Sequence, residues 1–351
     1  MKNMKILIFN TYNRSFLSDF FVELSNSLLK NENSVKIYSF KKDKGYKRLE
    51  SGLEIKILKK GNKLFNYYTL FHVLKEEQPD VVVSNFSYVN PVVLASKVLG
   101  IRNNIIWYHT LREQMQFSKS SIFIKSHFMN LASAIITNSK ELKEEIAKDY
   151  NQKPDKVYNL PFTTSVTTTK VDNIDLIHKQ GSIYIGCPGR LNKDKNQKIL
   201  LDSLPFINNK NIILVFAGED EENVLKSHPN YKKYISQIIY LGVLSREKMI
   251  GFYNKMDIIV LPSLNEAFGL VYIEALALGK KTLVSNKFGA LDYIKEDTGD
   301  ISFDPKNIEE LVDKIQNLLT SNINSNYFKD LYDSNFSMDQ IVSSFNKIIN
   351  R

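Results

Sequence analysis

Residues 261–285 read LPSLNEAFGLVYIEALALGKKTLVS, and the order of residue types in this stretch decides the fold prediction. It predicts the end of a buried strand, a turn, a short helix over 269–278 and a second strand. The predicted helix is apolar nearly all round, which indicates a helix packed in an interior. Glu274 nevertheless lies in its middle, and a carboxylate held there destabilises the fold unless charged or hydrogen-bonding groups meet it.

A second carboxylate, Glu266, lies in the turn that precedes this helix. The backbone N–H groups of Phe268 and Gly269 come at the predicted helix start, where the helix dipole favours an anion. Two carboxylates beside such a helix start indicate a pocket for a molecule that carries hydroxyls and phosphate. The alternative, which the spacing alone leaves open, is a core ion pair of Glu274 with a Lys or Arg and a surface turn at Glu266.

Predicted strands and helices alternate along the rest of the chain. The strands are predicted over 5–10, 35–40, 53–58, 81–84, 105–108, 134–138, 157–160, 183–186, 212–217, 238–241, 258–261, 281–285 and 301–303. The helices are predicted over 16–30, 64–78, 91–99, 121–131, 140–150, 197–204, 245–255, 307–320 and 338–350. This alternation is typical of α/β folds with doubly wound parallel sheets, which bind ligands at the carboxyl ends of their strands.

Two Rossmann-like domains are predicted from this pattern. We assign 1–165 to the first, 166–335 to the second, and 336–351 to a C-terminal helix that could pack back on the first. Residues 163–180 are rich in Thr, Asn and Asp and lack periodicity, so they form the predicted linker.

Composition excludes several classes of protein. The chain has 351 residues, 43% hydrophobic and 24% charged, which is typical of a globular protein. The apolar run 6–9 is too short for a secretory signal, and no stretch is apolar enough to span a membrane. We therefore expect a cytoplasmic protein. The single cysteine, Cys187, excludes an internal disulfide, and a small buried filler is expected there.

Positive charge is concentrated in the first half of the chain. Residues 1–165 hold 25 Lys and Arg against 15 Asp and Glu, whereas 166–351 hold 22 against 23. Basic and aromatic residues interleave at 41–48, 59–68 and 118–131. Such surfaces can contact anionic lipid headgroups. We therefore predict a peripheral contact with the inner face of the plasma membrane, with a merely solvated surface as the alternative. No nucleic-acid-reading motif accompanies the charge.

A second candidate site follows the strand over 183–186. Arg190 and Lys195 lie at a strand-to-helix junction, after a Pro-Gly pair that permits a tight turn. Basic side chains at such a junction can bind a diphosphate, and Arg can do so with two hydrogen bonds. Without further support, a solvated loop is the default interpretation.

Both sites resemble known motifs. Residues 261–285 resemble the E-x7-E region of family 4 glycosyltransferases, and GRLNKDKN at 189–196 resembles their diphosphate clamp. The resemblance covers 183–299. It implies that Arg190 and Lys195 bind the diphosphate, that Glu266 meets the donor sugar, and that Glu274 holds the ribose. It also implies backbone contacts to the sugar and phosphates from Phe268, Gly269 and Leu270, and contacts to the base from Gly242, Val243 and Leu244.

The family resemblance also implies the GT-B fold, in which two Rossmann-like domains face each other across a cleft. It makes His109, at the end of a predicted strand, the candidate contact to the donor sugar from the first domain. No metal site is expected, because the histidines show no ligand spacing with carboxylates or Cys187. No cofactor is expected beyond the nucleotide-sugar substrate.

Three departures from the family pattern are visible. The loop after the first strand, FNTYNRS, contains no glycine, and Asn196 replaces the glycine expected after the clamp lysine. The usual Gly-Gly-x-x-Glu after the motif is replaced by FGALD at 288–292. The first departure puts the expected contacts of the first domain in doubt.

The resemblance implies that the protein is a retaining glycosyltransferase. The resemblance implies transfer of a hexosyl or N-acetylhexosaminyl group from a nucleotide diphosphate, with uridine as the favoured base, to an acceptor sugar or lipid-linked glycan. It suggests a role in the synthesis of cell-surface polysaccharide or glycolipid. The predicted catalytic residues are Glu266, His109, Arg190 and Lys195. A nucleotide-sugar epimerase or hydrolase and a non-catalytic partner subunit stay open as alternatives.

Overall fold

A computed structural model describes residues 3–13, 15–109, 119–164, 172, 174, 176, 179–207, 209–321, 323 and 326–350. The chain divides into two compact units. Unit 1 comprises Met1–Thr163 together with Ser337–Arg351, and unit 2 comprises Thr164–Phe336.

Unit 1 is built on one sheet with the strand order β3-β4-β2-β1-β5-β6-β7-β8. All pairs are parallel except β3 with β4. The strands are β1 (Lys5–Phe9), β2 (Ser34–Lys41), β3 (Gly45–Arg48), β4 (Glu54–Lys59), β5 (Val81–Ser84), β6 (Asn103–Trp107), β7 (Ala134–Thr137) and β8 (Val157–Asn159). The order reverses between β1 and β5, so this point is the switch point at which a doubly wound sheet binds ligands.

The described part of unit 1 contains six α-helices. They are α1 (Phe16–Lys30), α2 (Lys63–Glu77), α3 (Val89–Val98), α4 (Lys119–Asn130), α5 (Lys140–Lys148) and, at the far end of the chain, α13 (Met338–Ile349). Ser15 and Ser139 cap α1 and α5 through their hydroxyls. The apolar faces of α1 and α13 pack together. The centroid of the buried Trp107 ring lies 5.3 Å from that of Phe20 and 6.1 Å from that of Phe345.

Unit 2 is built on a second, wholly parallel sheet with the strand order β11-β10-β9-β12-β13-β14. Its strands are β9 (Ile183–Pro188), β10 (Ile212–Ala217), β11 (Ile238–Tyr240), β12 (Ile258–Leu261), β13 (Thr282–Ser285) and β14 (Ser302–Phe303). In order of appearance this is 3-2-1-4-5-6, the Rossmann order, with its switch point between β9 and β12.

The helices of unit 2 are α6 (Lys198–Ser203), α7 (Val224–Ser227), α8 (Pro229–Lys233), α9 (Arg246–Lys255), α10 (Leu270–Ala277), α11 (Ile308–Thr320) and α12 (Tyr327–Asn335). The four central strands β9, β10, β12 and β13 are almost completely buried, because helices cover both faces of the sheet. The prediction of two parallel-sheet α/β domains is confirmed.

Two kinds of element were missed by the sequence analysis. The strand β3 was interpreted only as a basic surface segment, because its four residues are all exposed and show no alternation. The helices α7, α8 and α12 were not predicted. Of these, α12 buries Phe328 and Leu331 on one face, but its other positions are mostly polar. The predicted helix 269–278 is correct in place but wrong in one respect, since it buries one face only.

Candidate functional site

The loops that leave β9 and β12 meet at the switch point of unit 2. The first loop carries Arg190 and Lys195, and the second carries Glu266. The amide N–H of Leu264 donates to the carbonyl oxygen of Asp194 at 2.8 Å, which joins the two loops directly. The sequence therefore folds both predicted motifs into one site at the carboxyl ends of adjacent strands.

Lys195 and Glu266 form an ion pair between their side chains. The lysine side chain is 29% exposed and the glutamate side chain 17%, so both are sheltered but reachable. The backbone of Glu266 is held separately by the loop after β13. Its N–H donates to the carbonyl oxygen of Lys287 at 3.2 Å, and its own carbonyl oxygen accepts from Gly289 N–H at 2.9 Å. A carboxylate fixed in this way orients the lysine ammonium.

Arg190 makes a different contact from the one that the resemblance implies for the bound state. Its Nη1 lies 3.0 Å from Oε1 of Glu221, and the arginine side chain is 65% exposed. Asn192 donates to the other carboxylate oxygen of Glu221 at 2.8 Å. Hydrogen bonds from Asn192 and Arg190 lower the pKa of Glu221. An exposed pair of this kind contributes little stability, so Arg190 can exchange Glu221 for a phosphate at small cost.

Asn196 explains one departure from the family pattern. Its backbone is left-handed, with φ of 55°, a conformation that glycine adopts freely and asparagine tolerates. Its buried side-chain amide donates to the carbonyl oxygens of Pro262 and Pro305, at 3.2 Å and 2.8 Å. Asparagine thus keeps the turn that glycine would allow. It also ties residues 189–196, the clamp loop, to the end of β12.

The start of α10 is open for a ligand. Gly269 has φ of 96°, and a Cβ at this position would lie 2.2 Å from the Phe288 ring, so only glycine fits. Among the described residues, the amide N–H groups of Gly269 and Leu270 have no hydrogen-bond acceptor. The carbonyl oxygen of Phe268 accepts from Ala290 N–H at 2.9 Å, which fixes the turn. Two free amides at a helix start favour an anion.

Within the described residues, Glu274 is met by a hydroxyl and not by a directly bonded cation. The hydroxyl of Tyr253, on α9, donates to Oε2 of Glu274 at 2.9 Å. Burial raises the pKa of Glu274, while the Tyr253 hydrogen bond and the charge of Arg246 oppose that rise. The face of α10 that carries Glu274 is partly exposed, because the helix packs on β13 and α12 with its opposite face. Glu274 is therefore not on the face of α10 that forms the buried core.

The end of β11 supplies the third predicted segment. Gly242 accepts a hydrogen bond from Gly218 N–H at 2.8 Å, which keeps the strand ends of β10 and β11 together. Gly218 has to be glycine, since a Cβ there would lie 2.0 Å from the carbonyl oxygen of Gly189. Val243 is 73% exposed, and Leu244 is half-buried. An exposed apolar side chain at this edge of the sheet is a suitable contact for a flat base.

His109 lies in unit 1, at the carboxyl end of β6. Burial lowers the pKa of His109 to about 4, and the nearby Trp107 backbone opposes this only in part. Neither ring nitrogen has a hydrogen-bond partner of normal geometry among the described residues. The ring contacts Phe86 edge to face, with 4.4 Å between centroids. The imidazole is therefore neutral near pH 7, and both of its nitrogens are buried.

Three residues of the unit 2 site were missed by the sequence analysis: Glu221, Asn192 and Tyr253. The acidic run GEDEEN after β10 was a visible signal for Glu221. Tyr253 had no signal, because its contact with Glu274 depends on the packing of α9 beside α10.

Cys187 is buried, as expected, and burial raises the pKa of its thiol. Within the described ranges, no group of three His, Cys, Asp or Glu side chains is placed to bind a metal ion. A search of the same residues finds no helix with the length and apolar character needed to cross a membrane.

Comparison with solved structures defines the class of fold as GT-B. The chain is similar to a glycosyltransferase from Rickettsia africae, with a TM-score of 0.71, 17% identity, and coverage of 99% of this chain and 98% of that one. It is also similar to HepE of Anabaena in complex with UDP, with a TM-score of 0.75, 13% identity and coverage of 99% of both chains.

Family models cover most of the sequence. The model described as Glycosyl transferases group 1 matches residues 171–331, and that described as Glycosyltransferase Family 4 matches residues 19–161. The chain belongs to the family 4 glycosyltransferases, as the motifs indicated.

Relatives of the chain include an uncharacterised glycosyltransferase of Methanocaldococcus jannaschii, 28% identical over 59% of this chain and 57% of that protein. Another is the capsular polysaccharide biosynthesis glycosyltransferase CapM of Staphylococcus aureus, 29% identical over 54% of this chain and 53% of that protein. The matches thus span little more than half the length of these relatives.

Proposed function

We propose that this protein is a retaining glycosyltransferase that moves a hexosyl or N-acetylhexosaminyl group from a nucleotide diphosphate donor, with uridine as the base, to an acceptor hydroxyl. The observation that carries the proposal is the contact between Lys195 and Glu266. It unites the clamp loop and the E-x7-E turn at the switch point of a Rossmann-ordered sheet, beside two free amides of α10.

Each group of the site has a role in this transfer. The bond between the anomeric carbon and the diphosphate oxygen breaks, the acceptor oxygen bonds to the same carbon, and the acceptor's proton passes to the leaving diphosphate. Negative charge grows on the leaving diphosphate, so Arg190, Lys195 and the amides of Gly269 and Leu270 lower the barrier by stabilising it. We name no nucleophile for the step that retains configuration.

The remaining residues orient the donor. Glu274, on the partly exposed face of α10 and oriented by Tyr253, is suited to accept hydrogen bonds from the two ribose hydroxyls. Glu266 is suited to bind hydroxyls of the transferred sugar, and Val243 to contact the base. The neutral imidazole of His109 can both donate to and accept from a sugar hydroxyl. CapM, a relative named for capsular polysaccharide biosynthesis, supports a role in cell-surface glycan synthesis.

A turnover screen tests the proposed function. Purified protein is incubated with several UDP-, GDP- and ADP-sugars, with and without a mixture of glycan acceptors, and free nucleotide is measured. We expect selective turnover in the wild type and a loss of about 100-fold in Arg190→Ala, as for removal of one charge-stabilising donor. Lys226→Ala, which removes an exposed cation elsewhere in unit 2, is the control.

Equal turnover in the wild type and Arg190→Ala would contradict the role of the clamp. Release of free sugar or an epimer at the full rate without any acceptor would instead favour the hydrolase or epimerase alternative.

We further propose that unit 1 contacts an anionic membrane surface through the start of α2. Leu64, Phe65 and Tyr68 are exposed there, beside Lys60 and Lys63. Each lysine near such a surface contributes about 1 kcal/mol. Co-sedimentation with phosphatidylglycerol vesicles, but not with phosphatidylcholine vesicles, is expected, and substitution of both lysines by Glu should abolish it. Equal sedimentation with both lipids, or none, would contradict the contact.

A further inference from the structure

A second set of polar side chains lies at the switch point of unit 1. Asn10 follows β1 and Asn85 follows β5, and both side chains are almost completely buried. Nδ2 of Asn85 donates to Oδ1 of Asn10 at 3.1 Å. The two amides therefore form one polar floor at the edge of the sheet where doubly wound folds bind ligands.

Several polar atoms at this floor have no partner. Oδ1 of Asn85 and both ring nitrogens of His109 are buried without a hydrogen bond among the described residues. Asn85 does not cap the turn that follows it, so capping does not explain its presence. An unpartnered buried polar group destabilises the folded state by about 1–3 kcal/mol, so a purely structural role does not explain these atoms. Ligand hydroxyls would supply the missing bonds.

Phe86, the next residue, has a backbone conformation that is unfavourable for its type. Its φ is 48°, and it is the one aromatic residue in the described part of the chain with a left-handed backbone. Bulky side chains in this region are strained. The ring is nevertheless 54% exposed, and it contacts the His109 ring edge to face. The strain thus presents an apolar ring beside unpartnered hydrogen-bonding groups.

We propose that Phe86 is a stacking platform for the pyranose ring of a neutral sugar, whose hydroxyls bond to Asn85 and His109. A pyranose presents an apolar C–H face and a rim of hydroxyls, which matches this combination of groups. The assignment to sugar chemistry rests on the proposed function. The imidazole is uncharged at neutral pH, which fits a ligand without charge. The glycine-free loop that begins at Asn10 is therefore part of a binding site built differently from the expected one.

Saturation-transfer NMR tests the platform. The full chain, with UDP in excess, is titrated with the methyl α-pyranosides of glucose, mannose and galactose. We expect saturation transfer to the C–H protons of at least one sugar. In Phe86→Asn, the apparent affinity of the protein for that sugar should be about tenfold weaker, the factor that corresponds to about 1.4 kcal/mol. Phe86→Trp should retain it. Phe206→Leu, which removes an exposed ring of unit 2, is the matched control.

Thermal unfolding separates binding from packing. Because asparagine tolerates a left-handed backbone, the Tm of Phe86→Asn should be unchanged or higher, whereas a ring needed only for packing would lower it. The proposal is overturned by equal saturation transfer in the wild type and Phe86→Asn, by no saturation transfer from the wild type to any of the three sugars, or by a lower Tm in that variant. Calorimetric UDP binding in the same samples tests the proposed function separately.

Discussion

Lys195 is paired with the carboxylate of Glu266. A diphosphate that enters the site has to share the ammonium with Glu266 and lies close to its negative charge. The same carboxylate orients the lysine and is suited to hold the sugar. If the proposed function holds, Glu266 would therefore weaken the binding of the nucleotide portion in favour of correct orientation of the transferred group.

Substitution of Glu266 by Gln should separate these two effects. Removing the charge eliminates its repulsion of the diphosphate, so UDP should bind about threefold to tenfold more tightly, or about 1 kcal/mol. Transfer of sugar should fall at the same time, because the lysine and the donor lose a fixed partner. Calorimetry with UDP and turnover of the donor measure the two quantities. Glu309→Gln, an exposed site on α11, should change neither, and weaker UDP binding in Glu266→Gln would refute this role.

The sequence predicted the residues of this site better than their contacts. Lys195 and Glu266 were recognisable because two short motifs resemble those of family 4 glycosyltransferases, and the structure brings the two residues together. The pairing of Arg190 with Glu221, and of Glu274 with Tyr253, could not be predicted, because each joins elements whose packing no local pattern records. The strained backbone of Phe86 likewise has no signature in the residue type.

Among the secondary-structure elements, three strands and one helix of unit 1 share a single ionic centre. Lys5, Lys36 and Lys56, on β1, β2 and β4, form ion pairs with Glu77 at the end of α2 at 2.7–3.0 Å. Tyr38 also donates to the same carboxylate. Burial by itself would raise the pKa of Glu77, but these hydrogen bonds outweigh it and lower the pKa far below the ordinary value.

Glu77→Gln should therefore destabilise unit 1 at neutral pH by about 2 kcal/mol or more, because it leaves three ammonium groups without their shared partner. A lowered carboxyl pKa adds stability above the unfolded value of about 4.3 that is lost as the pH falls toward the folded value. The difference from the wild type should therefore shrink between about pH 5 and pH 3. Urea unfolding followed by the fluorescence of Trp107, the single tryptophan, measures it.

Glu76→Gln is the matched control for this prediction. It makes the same change of charge one residue earlier, at an exposed position, and should change the free energy of unfolding little at any pH. A loss in Glu77→Gln that stays constant from pH 7 to pH 3 would argue against the ionic origin of the effect.

The strands and helices were predicted correctly where buried residues recur at a regular spacing along the sequence. The buried strands of both sheets and the long amphipathic helices were located correctly, because their apolar patterns extend over enough residues. The edge strand β3 and the short helix α12 were missed, since their places depend on contacts with β4 and α10. In segments as short as these, the intrinsic helix or strand propensity of the residues is too weak to predict the element.

Across the whole molecule, the chain returns to unit 1 at its end. The helix α13 buries Ile341, Val342, Phe345 and Ile349, and it packs on α1 although more than 300 residues separate them. Unit 1 is therefore complete only when the last segment of the chain has been added.

Phe345→Ala should destabilise unit 1 by about 3–5 kcal/mol, because it removes a fully buried ring that stacks on Trp107. The transition reported by Trp107 fluorescence should move to lower urea, while UDP binding, a property assigned to unit 2, should persist below that transition. Lys347→Ala, an exposed position on the same helix, should leave the transition in place. An unchanged Trp107 transition in Phe345→Ala would contradict the packing.

The central claim is that the switch point of unit 2 binds a nucleotide diphosphate through Arg190 and Lys195. Calorimetric titration of UDP into the wild type, Arg190→Ala and Lys226→Ala tests it most directly. We predict one site per chain in the wild type, affinity about tenfold weaker in Arg190→Ala, and no change in Lys226→Ala. Equal affinity in all three proteins, or no binding of UDP to the wild type, would contradict the claim.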